Sequence, residues 1–176
     1  MRPRGSSGFD DRSYQHTPLN YLVLIDAVRV LPGLFGRVLV PEAVMVELGH
    51  PKAPERVRSW SANPPSWLEV LAVTLPADPA LSVLEAGERD AILLVEQVGA
   101  DLLLVDERAA SGEAKHRGLS TMGTLGVLET AAVNGLIDFS EELGRLRQTS
   151  FHVSSEVLAP FLERDSQRRE PTEPES

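Results

Sequence analysis

Four acidic residues, Glu47, Glu88, Asp90 and Asp106, stand where a folded chain could bring them together. Carboxylates gathered at one place repel one another unless they are protonated or bound to a cation, and hard divalent ions such as Mg²⁺ or Mn²⁺ prefer oxygen ligands. A metal held that way can generate hydroxide and clamp phosphodiester oxygens in an in-line displacement. Glu88 and Asp90 open a helical pattern, with Ala91, Ile92, Val95 and Val98 at helical spacing and Gly99 closing it. The run DLLLVDE that follows is short, apolar and closed by Asp106 and Glu107, as a buried parallel strand would be. Eighteen positions separate Glu88 from Asp106, one helix plus one strand. Ligand sites in open α/β sheets form outside the carboxyl ends of the strands, so Asp106 is the strongest single signal.

Each acid also has an ordinary role available. Glu47 lies on an amphipathic helix, where solvent exposure is the default. Glu88 and Asp90 suit the partial positive charge of a helix N-terminus. Arg108, Lys115, His116 and Arg117 can form a solvated helix face or contact a nucleic-acid backbone. Thr124, in GTLG, either caps the next helix or hydrogen-bonds beside the acids. Trp60 and Trp67 flank NPPS and are expected to pack that loop.

The elements that would position these residues follow from periodicity and breakers. Thr17 and Pro18 have the types of an N-cap and a first helical residue, before the apolar segment LNYLVLIDAVRVLPGLF. Pro32 and Gly33 are predicted to break that segment. RVLVP reads as a strand from Val38 to Val40, PEAVMVEL as a helix and WLEVLAV as a strand. After Ile137, DFSEELGRLRQ predicts a helix with Leu143 and Leu146 inward, and a last helix is capped by Ser154 or Ser155. This alternation predicts one α/β domain with a parallel sheet. Residues 1–15 are polar and irregular, residues 16–163 carry the domain, and the charged residues 164–176 are expected to be a disordered tail.

Composition narrows the function. With no cysteine among 176 residues, disulfides, thiolate catalysis and cysteine-bound zinc are excluded. The four histidines show no metal-binding spacing. A net charge of −9 argues against a broadly basic nucleic-acid surface, although bound metals can invert a local field. No apolar run has the length of a membrane span, and the first residues lack a signal peptide's apolar core, so a cytoplasmic location is expected.

Three stretches, LFGRVLVPEAVMVEL, GERDAILLVEQVGADLLLVDERAA and GTLGVLETAAVNGLI, resemble the PIN-domain proteins, in particular the VapC-like branch of toxin–antitoxin modules. The resemblance runs from about Thr17 to Phe161. It implies a three-layer α/β fold with a central parallel sheet flanked by helices, and a Mg²⁺- or Mn²⁺-dependent ribonuclease. By resemblance Glu47 matches the family's helix acid, Glu88 the acid opening the later helix with Asp90 as its neighbour, and Asp106 the acid ending the next strand. These would ligate metal and position water. An RNA substrate, an antitoxin partner and a homodimer are implied in the same way, with Arg108, Lys115 and Arg117 as candidate RNA-backbone contacts. The chain departs from the pattern at Gln15, where the family's first aspartate is expected, and at Ser111, where this branch usually carries a basic residue. The first departure implies weakened metal binding and activity. A non-catalytic, degenerate PIN-like interaction domain is therefore the alternative expectation. A flavodoxin-like or phosphatase-type domain is disfavoured because no glycine-rich phosphate loop follows a strand.

Overall fold

In the computed structural model, residues 17–170 are described; the expected N-terminal segment 1–15, with Gln15, and residues 171–176 lie outside them. Helix α1 (Pro18–Leu24) starts where the sequence predicts, with the Thr17 side chain accepting the Asn20 N–H at 3.4 Å. The chain then turns at Asp26, whose φ of 62° is the only positive value at a non-glycine among the described residues. A short 3₁₀ turn over Val28–Val30 leads into α2 (Leu31–Phe35). The predicted break at Pro32 and Gly33 is therefore misplaced. Pro32 falls in the first turn of α2, where its missing N–H costs nothing, and the interruption comes earlier at Asp26.

Strand β1 (Val38–Pro41) feeds α3 (Glu42–Leu48) and α4 (Glu55–Ala62), and the chain returns as β2 (Leu68–Leu71), parallel to β1 with Val38 opposite Leu68. A 3₁₀ turn at Pro79–Leu81 precedes α5 (Ala86–Val98), which ends on Gly99 at φ 64°, as its spacing predicts. The second parallel pair joins β3 (Leu103–Leu104) to β4 (Thr121–Met122) across α6 (Arg108–His116). Helices α7 (Thr124–Val133), α8 (Phe139–Leu146) and α9 (Ser155–Arg169) complete the chain. The fold is the expected three-layer α/β arrangement of parallel strands flanked by helices. Among the described residues the strands form two separate parallel pairs, β1 with β2 and β3 with β4, where one continuous sheet was expected.

Two apolar clusters hold the layers. The larger joins α1, β1, α3, α7 and α8 through fully buried Leu22, Leu48, Leu128 and Leu146 and nearly buried Phe139. The smaller packs α5 and α6 around Leu81, Ile92, Ala110 and Ala114. Strand β3 touches both: Leu103 belongs to the smaller cluster and Leu104 packs on the larger, as successive strand residues must point to opposite faces. Trp60 and Trp67 pack against each other at 6.5 Å beside the larger cluster, as expected.

The expected tail needs correction. Helix α9, capped by Ser154, runs to Arg169, with Arg164 paired to Glu129 at 2.6 Å and Arg169 to Asp138 at 2.6 Å. Asp165, 5% exposed, accepts from Ser140, Arg168 and Arg169. The charges that resemble a disordered composition are partners for acids on α7 and α8. No single helix among the described residues is long and apolar enough to cross a membrane. Leu128→Ala, which empties a fully buried position on α7, is expected to lower stability by about 2–5 kcal/mol in urea titration.

Candidate active site

Glu47 lies in the last turn of α3 and is only 6% exposed, against its expected default of a solvated side chain. One carboxylate oxygen accepts the backbone N–H of Gly87 at 2.8 Å, at the start of α5. A Cβ on Gly87 would overlap that carboxylate, so a side chain there would displace the Glu47 carboxylate from its present position. Burial pushes the Glu47 carboxyl up to about 7; the charges of Glu85 and Asp90 add to the shift, and the Gly87 N–H and Arg89 oppose it.

Glu88 follows directly on α5. Its carboxylate accepts the Glu85 N–H at 3.3 Å, half of a capping box in which the Glu85 side chain accepts from the Glu88 backbone. The ordinary helix-terminus role is thus real for Glu88, but it is not the whole of it. Burial first, then the charges of Glu107, Glu85 and Glu47, push its carboxyl up to about 7. Asp90 is half-buried beside Arg89, 3.8 Å away, and bears on the site through its charge on Glu47.

Asp106 is held differently. Its carboxylate accepts both the Thr124 N–H, at 2.7 Å, and the Thr124 hydroxyl, at 2.5 Å, fixing the end of β3 to the first turn of α7. Gly123 likewise leaves room for the acid, since a Cβ there would stand 2.7 Å from an Asp106 oxygen and push the carboxylate aside. Thr124 is therefore not the N-cap, which is Gly123; its hydroxyl orients Asp106. Asp106 borders a groove of about 450 Å³ shared with Lys115, Thr121 and His152, while Gly87 and Glu88 border a separate cavity of about 560 Å³. Val105 lines both.

The basic candidates separate on geometry. Lys115 is exposed and faces the Asp106 groove. Arg108 is exposed at the start of α6 and does not border that groove. Arg117 does not fit the expectation of an RNA contact: its guanidinium binds Asp78 at 2.6 Å, Glu113 at 2.8 Å and Glu96 at 3.0 Å. Those three carboxylates hold it above the usual guanidinium range and make it a clamp between α5, α6 and the loop before α5. Sequence reasoning gave no site role to three contributors, Glu107, Gly87 and Gly123, and read Glu107 only as closing its strand. Glu107 caps α6 by accepting the Ala110 N–H at 2.9 Å while its charge bears on Glu88. Gly87 precedes Glu88 in AGERD, and a glycine next to a candidate acid was the available signal; Gly123, in MGTLG, has no acid beside it in sequence and meets Asp106 only in the fold.

Against known proteins, the family model DUF3368, described as a PIN domain, matches residues 15–167. The chain belongs to the PIN-domain family. No curated protein and no solved structure matches it. PIN domains are generally nucleases acting on nucleic acid, and they typically use divalent metals. In this PIN domain the donors are all oxygens, which suits a hard divalent cation. Glu88 feels the charge of Glu47, whereas no group of three or more acidic or histidine side chains comes within metal-holding reach among the described residues.

Because Glu47 and Glu88 bind a proton more tightly folded than unfolded, their contribution to stability is full below pH 4.5 and is lost as pH rises toward 7. Acids held low by arginine, such as Asp78, Glu129 and Asp138, titrate beneath that window. The urea midpoint of the metal-free protein is expected to fall between pH 5 and pH 7.5, and Glu47→Gln, which stays neutral, to flatten the decline. A midpoint rising over that range would contradict the assignment. Gly87→Ala, which forces the Glu47 carboxylate aside, is expected to cost about 1–3 kcal/mol by the same titration.

Proposed function

We propose that this PIN domain is a metal-dependent endoribonuclease of the VapC toxin type. The carrying observation is the junction of buried Glu47 and half-buried Glu88, whose carboxyls are both pushed up by burial and by neighbouring acids, Glu47 adding to the shift of Glu88, with no cationic side chain hydrogen-bonded to either among the described residues. Such a pair is poorly stabilised as two anions and well suited to an oxygen-seeking dication. Glu47 and Glu88 would hold Mg²⁺ or Mn²⁺, with Asp90 adding negative charge nearby. When bound, such an ion supplies a hydroxide nucleophile and neutralises charge developing on a phosphodiester. Asp106, aimed by Thr124, borders the groove in which Lys115 can meet an RNA phosphate. Arg108 offers a second phosphate contact at the rim, whereas Arg117 is committed to its three carboxylates. An antitoxin partner, a homodimer and a cytoplasmic location belong to the same reading and rest on the resemblance to the VapC-like branch.

A second reading, a non-catalytic PIN-like binding domain, is favoured by two observations. Gln15 stands where an aspartate is expected, outside the described residues, and the described acids do not gather into a group of three.

The nuclease reading is expected to show RNA cleavage that requires Mg²⁺ or Mn²⁺, disappears in Asp106→Asn and falls by about 10–100-fold in Thr124→Val, where only the orienting hydroxyl is lost. Absence of cleavage at high enzyme with Mn²⁺ would sink it. Cleavage gained only on Gln15→Asp would identify an inactivated nuclease.

A further inference from the structure

A planar cation is fixed on the α9 wall of the Asp106 groove. The ring of buried Phe139 on α8 stacks on that of Phe161 on α9, 6.3 Å away and within 12° of parallel. The Arg164 guanidinium lies over the Phe161 ring, 4.8 Å from its centroid. Glu129 of α7 accepts from the same guanidinium through both oxygens, at 2.6 and 3.1 Å, which sets its plane. The Arg164 side chain nevertheless remains 46% exposed and borders the groove. Glu129 balances its charge, so it offers an approaching anion little, but its delocalised plane can still stack. Half-buried Phe151, held edge-on by Tyr21 at 5.0 Å, and Val157, 53% exposed, add apolar surface to the groove. Asp106 and exposed Lys115 border it from β3 and α6. At about 450 Å³ the groove has the size of a small-molecule site.

We infer that the α9 wall is a subsite for one unpaired nucleobase, stacked on the Arg164 guanidinium, with its phosphate toward Lys115. The lining chooses this occupant. A phosphate or sugar alone would leave the apolar surface of Phe151 and Val157 unused, whereas a base has both a π-face and polar edges. A duplex keeps its bases stacked on one another and cannot offer one to a side wall, so the strand is single. Thr130, which borders the same groove, gives its hydroxyl proton to the Gly126 carbonyl at 2.8 Å and can only accept from a ligand. That suits an exocyclic amine such as adenine's. On the nuclease reading, on which this subsite rests, the stacked base would bring its neighbouring phosphodiester to Asp106. Arg164 is then a specificity-determining residue.

The probe is adenosine 5′-monophosphate, which has no internucleotide bond to cleave, so its binding to the full chain is read apart from catalysis. Saturation-transfer NMR is expected to reach the adenine protons more strongly than the ribose protons, and ribose 5-phosphate should show no transfer. Arg164→Lys keeps the charge without the plane, and Arg168 still binds Glu129 at 3.3 Å, so the nucleotide should bind about tenfold more weakly. Val157→Glu suits the first turn of α9, leaves circular dichroism unchanged and should weaken binding as well, by setting a charge against the base. No transfer to adenine, or ribose 5-phosphate bound as tightly as the nucleotide, would overturn the subsite. So would unchanged nucleotide affinity in Arg164→Lys and Val157→Glu. RNA cleavage without nucleotide binding would remove the subsite and keep the nuclease; nucleotide binding without cleavage would do the reverse.

Discussion

The buried hydrogen bond from the Gly87 N–H to Glu47 is the contact on which the acidic junction depends. It joins the end of α3 to the beginning of α5 and places a carboxylate where water cannot solvate it freely. One N–H stabilises the charged form but does not offset desolvation, which is why the carboxyl is pushed up to about 7. The same junction sets Glu88 one residue further along α5, within the influence of Glu47, Glu85 and Glu107. Once α3 and α5 meet through a glycine, an acid-rich junction follows from the helix geometry. Its electrostatic cost is a standing bias toward protons or a metal.

Asp106 shows the contrasting solution. Both of its oxygens accept from Thr124, and an anion at the first turn of α7 gains from the helix dipole. That carboxylate is stabilised by donors, whereas Glu47 and Glu88 are destabilised by burial. The two arrangements meet at Val105, which borders both the Glu88 cavity and the Asp106 groove. Acids held in unlike surroundings, one by hydroxyl and N–H donors and two by burial, thus stand on either side of one residue.

Much of this was legible in the sequence, for identifiable reasons. Helical spacing from Ala91 to Val98 and the positive-φ Gly99 made α5 readable, and the apolar run closed by Asp106 made β3 readable. Thr17 and Ser154 were legible as caps because capping is local chemistry. What failed was everything that depends on a distant partner. Arg117 looks like its neighbours until Asp78, Glu96 and Glu113 arrive from three segments. Residues 164–169 resemble a disordered tail until Glu129, Asp138 and Asp165 take up their arginines. The burial of Glu47 was hidden for the same reason, since its N–H partner is 40 positions away.

A net charge of −9 is unusual company for a polyanionic substrate, and the ion pairs sharpen the problem. Arg117, Arg145, Arg164, Arg168 and Arg169 are each engaged with acids, so their positive charge is balanced within a few ångströms. Around the Asp106 groove this leaves Lys115 with little help from neighbouring cations, and Arg164 there already faces Glu129. A phosphodiester approaching such a surface needs positive charge from elsewhere. A dication at Glu47 and Glu88 would reverse the local field at the point where the chain is most acidic, so on the nuclease reading metal binding governs substrate approach as well as chemistry.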